Sequence, residues 1–246
     1  MTTRPRTAML LAAGLGQRMR PLTANTAKPL LTLGGKALLD HALDRLVEAG
    51  VETVVVNAFW QAARVEARLT ARAAAGLPPR TILRRETALL DTGGGTRAAL
   101  DLLGPDPFYV VNGDAFWLNG TRAALLRLAD AFEPGLDGVL LVHRTFQVHA
   151  DVGFGDFAVD KLGNLRRRAE REIVPYIYAG VQLVAPALLD AMPDGPFSMN
   201  RAWDRVMAAG RLRAVVHDGL WFHLSTPSDL ADAESMLHAR LTGESR

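Results

Sequence analysis

Residues 7–30 read TAMLLAAGLGQRMRPLTANTAKPL, and this stretch decides the fold. Thr7–Ala12 is a short apolar run that ends at a glycine-rich turn, which predicts a buried strand. Glycines after a strand let a ligand approach the backbone closely, and the N–H groups of such a turn can cradle phosphate oxygens. Gly14 and Gly16 stand where that requires them, and Arg18 and Lys28 follow with charges that would neutralise the same polyanion. Two common phosphate motifs are excluded. A Walker loop needs Gly-Lys-[Ser/Thr], which is absent. A dinucleotide fingerprint needs a third glycine and an acidic residue closing the second strand; the chain has Met19 and Asn57-Ala58 instead.

Outward from this stretch, strand and helix patterns alternate. A helix is expected over Lys36–Ala49 with Gly50 as its C-cap, and a strand over Glu52–Asn57. A helix over Trp60–Ala75 carries Arg64, Arg68 and Arg72 at i, i+4 and i+8, a stripe that reads as a solvated face. Thr81–Arg84 and Pro107–Asn112 read as strands, with a helix from Gly93 to Leu103 between them. Arg122–Phe132 reads as a helix and Asp137–Val142 as a strand. This rhythm predicts an α/β fold with a Rossmann-like, doubly wound mixed sheet, whose ligands sit beyond the carboxyl ends of the strands. After residue 143 the pattern changes to antiparallel or mixed strands at Val152–Val159 and Tyr176–Val184. Helices are expected at Pro186–Met192 and Asn200–Ala209, a strand at Leu212–Val216, and a closing helix to about Leu241. With no repeat and no linker, residues 1–246 read as a single domain, a core over 1–142 followed by a substrate-binding part over 143–246.

Composition narrows the chemistry. The 246 residues are 49% hydrophobic and 22% charged, an ordinary globular balance, and no apolar run is long enough to span a bilayer. The apolar start reads as a strand rather than a signal peptide, because Gly14, Gln17, Arg18 and Arg20 stand where a cleavage site would be. Cysteine is absent, which removes disulfides, thiolate metal centres and a cysteine nucleophile. No serine lies in a nucleophile elbow and no histidines have metalloprotease spacing. A net charge of +2 does not specify nucleic acid or a membrane surface, and a cytoplasmic protein is expected. Only Lys28, Lys36 and Lys161 among 28 basic residues are lysines, so a lysine here is more often placed for its compact ammonium.

The string Gly14-Leu-Gly16-Gln-Arg18-Met-Arg20-Pro21-Leu-Thr23, followed by Ala27-Lys28-Pro29-Leu30, resembles the signature of the sugar-1-phosphate nucleotidyltransferases. The likeness continues at Asp91-Thr-Gly-Gly-Gly95, Val110-Val-Asn-Gly-Asp114, Tyr178-Ala-Gly180 and Trp221-Phe-His-Leu-Ser-Thr-Pro227, so it covers nearly the whole chain in the family's order. Within that family it most resembles the branch acting on N-acetylmuramate 1-phosphate. The resemblance implies that Leu11, Ala13, Gly14, Gly16, Arg18, Thr92, Gly93 and Asn112 contact a nucleotide. Arg18, Lys28 and Asp114 would be catalytic, Asp114 as a ligand of Mg²⁺. Gly155, Tyr178, Ala179 and Gly180 would hold the sugar. The implied substrates are a nucleoside triphosphate, best UTP, and a sugar-1-phosphate.

Two features keep rivals open. The family's W-x-D-x-G-T reads His223 at the aspartate and Ser225 at the glycine. Imidazole is a softer ligand than carboxylate for Mg²⁺, so His223 is a second metal candidate of lower rank, and Asp218 a lower one still. The rivals are a guanylyltransferase for mannose-1-phosphate or a heptose-1-phosphate, a cytidylyltransferase, and a non-catalytic nucleotide-sugar-binding regulator. The intact Gly14, Gly16, Arg18, Lys28 and Asp114 weigh against the last.

Overall fold

The computed structural model describes residues 4–148 and 150–242. The first half runs β1 (Thr7–Leu11), β2 (Thr32–Leu33), β3 (Lys36–Ala37), α1 (Leu38–Glu48), β4 (Thr53–Ala58), α2 (Ala62–Ala74), β5 (Arg80–Arg85), α3 (Asp91–Ala98), α4 (Leu100–Leu103) and β6 (Phe108–Asn112). The second half runs β7 (Phe116–Leu118), α5 (Ala124–Ala131), β8 (Gly138–Arg144), β9 (Phe157–Val159), β10 (Leu165–Arg167), β11 (Tyr176–Val184), α6 (Met199–Ala208), β12 (Leu212–Val216), β13 (Leu220–Phe222) and α7 (Pro227–Thr242).

Strands β5, β4, β1 and β6 lie side by side and parallel. Strand β11 then runs antiparallel to both β6 and β8, and β12 pairs parallel with β8. The sheet is therefore mixed, as the alternation predicts. Successive residues of a strand face opposite sides, and a parallel sheet is covered on both. Leu10, Val54, Val56, Tyr109 and Val111 pack on one side with α1, α2 and α5. Met9, Val55, Phe108 and Val110 pack on the other with α4 and α6. The order reverses at β1, whose next strand in sequence to join the sheet, β4, lies on one side while β6 lies on the other. Such a reversal opens a crevice at the carboxyl ends of the strands. No helix among the described residues is long and apolar enough to cross a membrane.

Several expected elements differ in extent. The helix expected from Lys36 begins at Leu38, because Gly34 and Gly35 both adopt positive φ and fold β2 back on β3. The helix expected over Gly93–Leu103 starts at Asp91 and is broken near Ala99 into α3 and α4. The strand expected over Val152–Val159 shrinks to β9, since Gly153 and Gly155 take left-handed backbone conformations. The helix expected over Pro186–Met192 is a single 3₁₀ turn, Pro186–Leu188.

The arginine stripe is a larger correction. Arg72 is 6% exposed and donates to Asp40, Asp44 and the carbonyl of Pro78. Arg68 Nε donates to the same Asp40 at 2.8 Å, and Asp40 is fully buried on α1. Helical spacing aligned the three arginines correctly, and Arg64 and Arg68 are exposed as expected, but α2 turns Arg72 inward onto Asp40 of α1, which Arg68 also reaches from the surface. Removing one partner of a buried ion pair strands the other charge. Asp40→Ala is therefore expected to lower unfolding free energy by about 3–5 kcal/mol, read from urea denaturation. A change within about 0.5 kcal/mol would mean the pair is solvated after all.

Candidate active site

The ends of β1 and β6 are held together by a backbone contact. Gly113 donates to the carbonyl of Leu11 at 2.8 Å, and a Cβ on Gly113 would lie 2.6 Å from that same oxygen. Above them opens a cavity of about 790 Å³. Leu11, Ala13, Gly14, Gly16 and Arg18 line it from the loop after β1, and Lys28 lies on the following 3₁₀ turn. Asn112 and Asp114 line it from β6, and Thr92 from the first turn of α3. These nine positions are brought together as the sequence predicts.

The loop is built to hold its shape. Gly16 has φ of +60°, where a side chain is strained, and a Cβ there would also crowd Thr23 and Lys28. Thr23 Oγ1 donates to Gly16 O at 2.7 Å, and the indole N–H of Trp60 donates to Thr23 O at 3.2 Å. At Gly14, by contrast, a Cβ would meet no protein atom within 4 Å. Its surroundings are open cavity, the space a ligand would fill.

Lys28 Nζ lies 2.5 Å from Asp114 Oδ2, with the lysine 13% and the aspartate 35% exposed at their side chains. The pair joins the loop after β1 to the end of β6 and leaves Arg18 exposed at the rim. Among the described residues no group of three or more histidine or acidic side chains is placed to hold a metal. A closed, all-protein metal centre is therefore not formed there. Mg²⁺ is a hard cation that takes one or two carboxylates and completes its shell with water and substrate phosphates. A single part-exposed carboxylate facing a polyanion cavity fits that demand.

The remaining predicted residues lie elsewhere. Gly93 is not at the cavity: its N–H donates to Phe197 O at 3.0 Å, and a Cβ would collide with the Phe197 ring. The glycines at 93 and 94 thus admit the 195–197 segment, a packing role that the glycine run does not distinguish from ligand contact. The phenol oxygen of Tyr178 is buried, with its ring edge-on to Trp203 at 4.7 Å. Ala179 O accepts the indole N–H of Trp221 at 2.9 Å. Gly180 has φ of +78° beside Asn112, where β11 shifts register against β8. Gly155 has φ of +76°, with Val174 O in the way of any Cβ.

His223 follows β13, which pairs with β7 and stacks Trp221 near the histidine ring. It borders a smaller cavity shared with Asp229 rather than the large one. Burial lowers its pKa, with Asp229 opposing and the Lys28 and Arg18 cations reinforcing the shift. Asp218, the lowest-ranked ligand candidate, is committed elsewhere: Arg127 Nη1 donates to one oxygen at 2.8 Å and Thr121 to the other at 3.0 Å. One oxygen holds the loop after β7 and the other holds α5, so Asp218 is no metal substitute.

Sequence reasoning missed Asn57, Asp91 and Pro196 at the cavity. Asn57 had a signal: it is a polar residue at the end of an apolar strand, where a dinucleotide site would place its acid.

Residues 7–170 match the family model described as nucleotidyl transferase, and the chain belongs to that family. Over 239 residues it is 43% identical to the N-acetylmuramate alpha-1-phosphate uridylyltransferase of Caulobacter vibrioides, covering 96% of this chain and 99% of that one. The protein of the same name from Neisseria meningitidis is 32% identical over 233 residues, covering 94% and 98%. Among solved structures, a UDP-glucose pyrophosphorylase complexed with UDP-glucose superposes with a TM-score of 0.79 at 14% identity, covering 96% and 99%. That likeness establishes the nucleotide-sugar transferase type of fold.

The rings of His143 on β8 and His217 stand 5.7 Å apart, and that of Trp221 is 6.0 Å from His143. Burial, then the neighbouring His217, pushes His143 from 6.5 down to about 4. The folded state therefore holds it neutral while the unfolded chain takes a proton. Above pH 6.5 this contributes nothing; stability falls as pH drops from about 6.5 towards about 4, then levels. Urea midpoints between pH 7 and 4 should fall less steeply in His143→Gln than in the parent; equal slopes would assign the acid sensitivity to other groups.

Proposed function

We propose that the protein transfers a uridylyl group from UTP to N-acetylmuramic acid 1-phosphate, giving the UDP-sugar and pyrophosphate, as in the recycling of cell-wall peptidoglycan. The observation that carries this reading is the cavity at the ends of β1 and β6, where Arg18, Lys28 and Asp114 gather over a glycine-rich backbone. The 43% identity over nearly the full length of a uridylyltransferase supports the base and the sugar.

The chemistry needs little beyond these groups. The acceptor phosphate oxygen is already an anion, so it attacks the α-phosphorus without a general base. A new P–O bond forms as the bridge to the β-phosphate breaks, and pyrophosphate leaves with the electron pair. The protein must align two polyanions and offset their repulsion. The backbone of residues 13–16 cradles the triphosphate. Arg18 at the rim and Lys28 beneath it neutralise charge, and the Lys28–Asp114 contact fixes where both act. Asp114 is the residue that would hold Mg²⁺, which when bound supplies further charge neutralisation across the phosphates. A neutral His223, on the adjacent loop, is the second candidate ligand. In this reading residues 1–142 serve the nucleotide and residues 143–246 the sugar within one domain. Gly155 and Tyr178–Gly180 shape the sugar side. A triphosphate substrate fits a cytoplasmic protein.

Pyrophosphate release with five nucleoside triphosphates and a panel of sugar-1-phosphates tests the pair directly. UTP with N-acetylmuramic acid 1-phosphate is expected to dominate; preference for GTP with mannose-1-phosphate would overturn the base and sugar together. Asp114→Ala should lower kcat by about 100-fold or more with an unchanged melting temperature. Full turnover in that variant would remove Asp114 from the mechanism. His223→Asp should raise activity with Mg²⁺ relative to Mn²⁺; an unchanged ratio would take His223 out of the metal site.

A further inference from the structure

Asn57 is the penultimate residue of β4 and borders the cavity, yet it is only 2% exposed. Both ends of its side-chain amide are engaged. Asn57 Oδ1 accepts the N–H of Ala12 at 2.8 Å, in the loop after β1. Asn57 Nδ2 donates to Glu86 Oε1 at 2.7 Å, just after β5. Glu86 Oε2 in turn accepts the N–H of Leu90 at 3.2 Å, one residue before the start of α3. One buried amide thus joins the phosphate-side loop to the segment that leads into α3. The third glycine of the run, Gly95, has its reason here: a Cβ would lie 2.7 Å from both Asn57 Nδ2 and Glu86 Oε1. Asn57 and the Lys28–Asp114 pair stand at the ends of β4 and β6, on opposite sides of β1. Two strand spacings separate them, about 10 Å. Glu86 stands behind Asn57 rather than on the cavity wall, and with Asp91 on that wall it makes this end acidic, so that an uncharged part of a nucleotide is favoured there over its phosphates.

We propose that Asn57 is a positioning residue for the nucleotide, setting the width of the cavity by tying Ala12 to Glu86. This rests on the nucleotidyl-transfer reading above. The relay acts on nucleotide affinity and leaves the chemical step to Arg18, Lys28 and Asp114.

An amide-for-carboxylate exchange tests it. Asn57→Asp keeps the acceptor for Ala12 but sets two carboxylates against each other. Adding Glu86→Gln restores every bond with the donor reversed: Gln Nε2 donates to Asp, and Gln Oε1 accepts from Leu90. The charge count matches the parent. Asn57→Asp is expected to raise the KM for UTP about tenfold with kcat within about twofold, and the double variant to return KM to within about threefold of the parent. Gly95→Ala, which presses on the same pair from behind, should raise KM in the same direction. A loss of melting temperature with unchanged KM, an equal loss in kcat, or a double variant no better than Asn57→Asp would overturn the proposal. UDP binding by calorimetry is measured alongside. If the parent binds UDP but turns over no sugar-1-phosphate, the function reading fails while the affinity pattern still decides the role of Asn57.

Discussion

The close approach of Gly113 to the Leu11 carbonyl is the constraint on which the site depends. Parallel strands β1 and β6 leave the sheet side by side, and their following loops compete for one space. With no side chain at 113, the β6 loop lies against the end of β1, and Asp114 comes within ion-pairing distance of Lys28. A larger residue would push that loop away and separate the two charges. The glycines at 14, 16 and 113 therefore do three separate jobs: open space for a ligand, a left-handed turn, and backbone contact.

Most of the fold was legible because its period is simple. Apolar strands alternating with helical stripes give a doubly wound sheet, and the glycine-rich turn after the first strand locates the cavity. Lengths failed where glycine geometry intervened, as at Gly34-Gly35 and Gly153. Arg72 of α2 failed for another reason. Spacing shows which residues share a face; it does not show that Asp40 waits on the neighbouring helix. The same blindness hid Asn57, whose partners are 45 and 29 residues away.

Three polar groups placed in the interior are paired across elements rather than within them. Asp40 joins α1 to α2, Asn57 joins three strand ends, and the Trp203 indole N–H donates to buried Gln182 on β11 at 2.8 Å. Each fixes a relative position that apolar packing alone leaves free to slide, since a buried polar group without its partner is costly.

Strand β11 has a further consequence. Residues 176–178 and 182–184 both pair with β8, the register slips between them around Gly180, and 181–184 also pair with β6. The two halves are thus joined through a bulge rather than one continuous ladder. Only the second half pairs with β6, the strand that leads to Asn112 and Asp114. Such a seam lets the segment at 176–178 change during evolution while the cavity wall at Asn112 and Asp114 stays in place.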